Sequence, residues 1–154
     1  MAKLLRFLIT HGIALAIGFA LGVYFLPILT APPPPDAAKL EEMAASALYK
    51  TSLTRDLRGS DRLHWGEGTV SVSDAQISHQ GKLAPGPDYK LYLTLGLVDH
   101  EDTFDRTKAV RVGDVKSFSG FILDVPDGVD VEAYDSLLIW CEAFGEFITA
   151  ASYK

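Results

Sequence analysis

A chain of 154 residues has room for one small core and not two, since a domain usually takes roughly 100 to 200 residues. The net charge of −6 is unevenly spread: residues 1–35 hold Lys3 and Arg6 and no acid, which leaves 12 of the 14 bases against all 20 acids in the remainder. That acidity excludes the basic face of a nucleic-acid binder, and the single cysteine, Cys141, excludes a disulfide framework within the chain.

Phe7 to Ala31 runs 25 residues without Lys, Arg, Asp or Glu. About 20 apolar residues suffice for a helix to cross a hydrocarbon core about 30 Å thick, so this stretch reads as a transmembrane helix that places residues 7–31 in a lipid bilayer. Lys3 and Arg6 at its start predict a cytoplasmic N-terminus by the positive-inside rule. A cleaved signal peptide is the alternative, but its apolar region runs only about 7 to 15 residues. Leu29-Thr30-Ala31 is also a weak cleavage signal, and Pro32 follows it directly. With no cysteine directly after the apolar run, a lipoprotein anchor is excluded. Ala14, Gly18 and Gly22 recur every four residues, the spacing that lets two membrane helices approach as a dimer. The ordinary abundance of Gly and Ala in membrane helices is the simpler reading of that stripe.

Pro32 to Pro35 forms a stiff, extended spacer. Asp36 is placed to cap a helix over Ala37 to Tyr49, where Leu40, Met43, Ala44, Ala47 and Leu48 fall at helical spacing and give a short amphipathic helix. From Arg62 onward the period changes to two. Runs at Thr69–Ser73, Ala75–Ser78, Tyr89–Leu95, Ala109–Val112, Gly120–Val125, Leu137–Ala143 and Phe147–Ser152 predict about seven short strands. The expected architecture is mainly β: a β-sandwich-like single domain preceded by one transmembrane helix and a short amphipathic helix. The corresponding divisions are 1–31 for the cytoplasmic N-terminus and membrane helix, 32–58 for the Pro-rich stalk and short helix, and 59–154 for the β domain.

Among the strands, Tyr134 to Phe144 stands out, because Leu137 to Cys141 is apolar at every position, the pattern of a strand covered on both faces at the centre of a sheet. Alternation puts Cys141 on the face of Leu137 and Ile139, and Trp140 on the face of Leu138 and Glu142. Cys141 is a small buried hydrophobe, an intermolecular link or a reactive thiol, and composition favours the first. A reactive thiol needs nearby positive charge, a helix N-terminus or a metal, none of which the local sequence supplies; Glu142 and an apolar strand would both raise its pKa. Trp140 and Trp65 are candidate stacking or electron-relay aromatics, with core packing the simpler role. Asp88, after Gly86 and Pro87, is with Trp140 a candidate cofactor-binding residue, its simpler role being an Asp that bonds backbone N–H groups of its own loop. His64, His79 and His100 lack the spacing of metal ligands, so no metal is expected. No haem, phosphate-loop or nucleophile-elbow motif appears, and no nucleophile–base pair supports a hydrolase or transferase.

Three segments together resemble the DM-thirteen domain family. Gly86-Pro87-Asp88-Tyr89-Lys90-Leu91-Tyr92-Leu93 is similar to its GPD motif followed by a hydrophobic strand. Val115 to Pro126 and Tyr134 to Phe144, with its Ile139-Trp140-Cys141 core, are similar to two later segments, and Gly66 to Val72 to the opening strand. Where bacterial members often carry a Gly-Asn-Gln type turn, this chain has Ser117-Phe118-Ser119-Gly120. The resemblance, over about residues 60 to 153, implies a compact sandwich-like domain of bacterial envelope proteins with an electron-transfer role and a redox-active cysteine. It gives the expectation of a single-pass bacterial inner-membrane protein whose C-terminal domain is periplasmic. That domain would transfer electrons or sense redox state through Cys141, with a redox or envelope protein as partner and no particular cofactor indicated. The alternative is a non-catalytic envelope binding domain in which Cys141 is a core residue.

Overall fold

The computed structural model describes residues 1–154. Helix α1 (Ala2–Thr30) is long and apolar enough to cross a membrane, and none of its residues is buried by the rest of the chain. Pro27 lies within it. Helix α2 (Ala37–Ala45) begins where expected, the Asp36 carboxylate accepting from the Ala38 N–H at 2.8 Å. It ends at Ala45 rather than Tyr49, and the residues that follow turn into a strand. Leu40 is the residue that α2 buries.

Eight strands follow: β1 (Tyr49–Leu53), β2 (Gly66–Val72), β3 (Gln76–Leu83), β4 (Tyr89–Thr94), β5 (Ala109–Val115), β6 (Phe121–Asp124), β7 (Ser136–Cys141) and β8 (Glu146–Ser152). They form two four-stranded antiparallel sheets, in the orders β1-β2-β3-β6 and β5-β4-β7-β8. The sheets face each other across one core that includes Val70, Val72 and Ile77 from the first and Leu91, Leu93, Leu137 and Ile139 from the second, each fully or almost fully buried. The lateral edges also meet, the Thr51 hydroxyl of β1 donating to the Ser152 carbonyl of β8 at 2.7 Å.

The mainly β, sandwich-like domain after a long apolar helix is therefore present, with one strand more than the sequence predicted. That strand is β1, an edge strand paired only with β2. Strand β7 is as expected, lying between β4 and β8 and buried at every residue. It stops at Cys141 rather than Ala143, because Glu142 to Gly145 make a turn that Gly145 closes at φ +70°. The cysteine is thus the last strand residue, at the rim of the core.

On the outer face of the second sheet a smaller apolar cluster forms from Tyr92, Leu138, Trp140, Phe147, Val98 and Ala150. Leu57, Phe104 and Ala109 pack against it, so connecting segments cover the sheet where a two-layer sandwich would leave it open.

Candidate functional site

Cys141 is 2 % exposed and belongs to the inter-sheet core, on the face it shares with Leu137 and Ile139. Pairing of β4 with β7 sets Tyr89 directly opposite it. The same register carries the preceding Asp88 to the turn after β7, where the Glu142 N–H donates to the Asp88 carbonyl at 2.9 Å. The backbone N–H groups of Phe144, Asp88 and Ala143 favour the Cys141 thiolate, and the charge of Asp88 opposes it. Burial outweighs them and pushes the thiol pKa above its ordinary value. Burial thus favours the protonated thiol at this end of the core.

A cleft of about 450 Å³ is lined in part by Cys141. Its walls come from Pro85, Pro87, Tyr89, Phe144 and Leu63, together with Phe19, Ala20, Val23 and Tyr24 of α1. Leu63 and Phe144 are 58 % and 53 % exposed, so the rim is apolar and largely uncovered. Gly86 is needed here for close approach: a Cβ on it would fall 2.4 Å from the Tyr89 hydroxyl. That proximity accounts for a glycine in the Gly86-Pro87-Asp88 segment.

Asp88 differs from its expected role. Its carboxylate lies 2.5 Å from the Lys90 ammonium, which also reaches Asp114 at 3.1 Å, and beside Cys141 its backbone N–H favours the thiolate while its charge opposes it. Trp140 points to the opposite side of β7 and takes no part in the cleft, although alternation placed it on that face correctly. It is buried against Phe104, ring centroids 4.7 Å apart, and its indole N–H lacks a partner. Trp65 is not a core residue but half-buried, with the Arg55 guanidinium 3.4 Å above its ring.

Beside Trp140 the fold assembles a group that single-residue reading misses. Arg106 donates to both oxygens of Glu142, at 3.0 and 2.9 Å, and to the Tyr92 hydroxyl at 3.1 Å, while Tyr92 also donates to Glu142. The Arg106 guanidinium holds the Glu142 carboxyl below its usual range. Alternation along β7 was the available signal, since it sets Glu142 on the Trp140 face.

The three histidines are dispersed. His79 is fully buried in the core, His100 is held by Glu101 and Asp102 at 3.1 and 3.0 Å, and His64 lines the Cys141 cleft with its Nδ1 3.2 Å from Asp61. No three His, Cys, Asp or Glu side chains are arranged to hold a metal ion.

Residues 58–153 match the family described as Electron transfer DM13. No curated protein and no solved structure matches the chain.

Proposed function

Since the chain belongs to the DM13 family, described by its electron-transfer role, we propose that it is a membrane-tethered extracytoplasmic domain whose redox group is the Cys141 thiol. The observation that carries this reading is the place of Cys141 at the end of β7, where it lines an open cleft. A thiol at the rim of a cleft can meet a partner sulfur, which a cysteine enclosed on every side cannot.

A lone cysteine exchanges electrons through a partner sulfur. The Cys141 thiol loses its proton and attacks a partner disulfide, an S–S bond forms to Cys141 while the partner's own S–S bond breaks, and the departing thiolate takes up the proton. The partner is a thiol–disulfide protein or a small disulfide that fits the cleft. Helix α1 supports a bilayer anchor, and Lys3 and Arg6 favour a cytoplasmic start with the β domain on the periplasmic side of a bacterial inner membrane.

The near-complete burial and raised pKa of Cys141 favour a second reading, a binding domain in which the cysteine only fills the core. Incubating the detergent-solubilised full chain in glutathione redox buffers separates the two. The redox reading expects one glutathione adduct per chain on Cys141, reversed by dithiothreitol with the fold intact. No adduct until the protein is unfolded establishes the core-residue reading instead.

A further inference from the structure

With residues 7–31 spanning a bilayer, α1 cannot also cover the Cys141 cleft. Phe19 lies twelve residues before Ala31, about 18 Å of helix, which puts Phe19, Ala20 and Val23 inside the hydrocarbon. The domain's own apolar share of the cleft, Leu63, Pro85, Pro87 and Phe144, then loses the helix beside it. Leu63 and Phe144 are more than half exposed even with α1 in place. The vacated walls call for another apolar cover.

The tether decides what is within reach. From Ala31 to Asp36 the chain is an extended polyproline spacer, which at about 3.1 Å per residue spans about 15 Å. Beyond it, α2 is fixed on the domain by the buried Leu40, beside Gly120. The domain is therefore held close to the bilayer that anchors it. Its end nearest the spacer is a hollow in which Pro32 and Pro34 meet Trp65, Lys82 and Phe118, and Pro85 belongs to both this hollow and the cleft.

Charge selects the same end. Residues 36–154 hold 12 bases against 20 acids, a balance that an anionic lipid surface repels. Here, however, Lys82 and Lys116 are exposed and make no ion pair, while Asp88 and Asp114 are already held by Lys90 and Arg111. Glu146, on the cleft wall, is the one lining acid without a cation. Trp65 is half-buried in the spacer hollow, and tryptophan is a residue that settles at headgroup level.

We propose that this end of the β domain rests on the bilayer that α1 spans, with Leu63 and Phe144 set into the headgroup–acyl boundary and Lys82 and Lys116 over anionic lipid phosphates. A redox partner of Cys141 then meets it at the membrane surface. The inference rests on the reading of α1 as a membrane anchor and is independent of the thiol chemistry.

The test uses the full chain in vesicles of equal parts phosphatidylcholine and phosphatidylglycerol. In a Cys141→Ala background, a nitroxide is attached to each of Leu63→Cys, Phe144→Cys, Leu95→Cys and Leu15→Cys in turn. Its collisions with lipid-soluble oxygen and with a water-soluble nickel chelate present on both faces of the vesicle are read by electron paramagnetic resonance. Leu95 is exposed just past the end of β4 opposite Tyr89, and Leu15 lies within α1. The labels at Leu63 and Phe144 should favour oxygen over nickel, Leu95 should show the reverse, and Leu15 should favour oxygen most. Lys82→Glu combined with Lys116→Glu should shift the two rim labels toward nickel in these vesicles, and less in phosphatidylcholine alone; an unchanged depth overturns the role of the lysines. Melting temperatures verify that each variant is folded. Rim labels as open to nickel as Leu95, with Leu15 in lipid, overturn the resting surface and leave the anchor standing. Rim labels shielded from oxygen and nickel alike mean that protein, either α1 or a second copy of the chain, covers this face, and also overturn it. A Leu15 label open to nickel removes the anchor and this inference with it.

Discussion

His79 shows how much of this domain's chemistry is fixed by single buried positions. Its Nε2 lies 3.0 Å from the Glu67 carbonyl and must carry the proton to donate there, which leaves Nδ1 buried with no partner. Burial pushes the ring pKa below its ordinary 6.5, the hydrogen bond to Glu67 opposing only in part. The folded state therefore resists a proton that the unfolded chain accepts. The stability this contributes is complete above pH 6.5 and is lost as the pH falls through that value, levelling off below the lower folded-state pKa. Thermal melts from pH 7.5 to 5 should fall in this window at up to about 1.4 kcal/mol per pH unit, the slope of one proton. In His79→Gln, the slope should shrink even if the protein is less stable throughout. Gly68 is equally specific: at φ +117°, directly opposite Gly81, it leaves no space for a Cβ, which would lie 2.3 Å from the Gln80 carbonyl oxygen. Gly68→Ala should cost about 1 to 3 kcal/mol in denaturant unfolding.

At the scale of elements, the bidentate Arg106–Glu142 pair, completed by Tyr92, ties the loop before β5 to the end of β7 over the Trp140 cluster. Arg106 is about half exposed, so solvent screens the pair, and Arg106→Ala should cost only about 1 kcal/mol. A double-mutant cycle with Tyr92→Phe should show coupling between the two, since they share Glu142. The loss should be visible in melts without moving the inter-sheet core. Elements with strong alternation or continuous apolar runs, such as β4 and β7, were legible in the sequence because burial alone decides them. Strand β1 was not, because Tyr49 to Leu53 follows a helix with no Gly or Pro between and holds its place by edge pairing to β2 and the Thr51–Ser152 bond. Most of β3 beyond Ser78 was hidden for a related reason: His79, Gln80, Gly81 and Lys82 are polar or small, yet pair along β2. Cys141 and Asp88 were both visible as candidates. Only the β4–β7 register reveals that the Asp88 backbone meets the turn after β7, and no linear pattern brings Tyr89 and His64 to the same cleft.

The whole molecule joins an apolar helix to an acidic sandwich whose cysteine end carries an apolar rim. If α1 is an anchor, the protein should remain in the membrane pellet after alkaline carbonate extraction, and its intact mass should include residues 1–30. Loss of those residues with release into the soluble fraction would identify α1 as a cleaved signal. Cys141 lies at the end nearest α1, whose Phe19, Ala20, Val23 and Tyr24 line the same cleft. The most direct measurement is the rate at which a small neutral alkylating reagent modifies Cys141 in the native, detergent-solubilised protein, followed across pH and compared with the same protein in denaturant. A thiol reachable through the cleft should react in the folded state, more slowly than when unfolded, with a rate that climbs at higher pH than for an ordinary thiol because burial raises its pKa. No modification at any pH until the chain unfolds would contradict a redox role for Cys141.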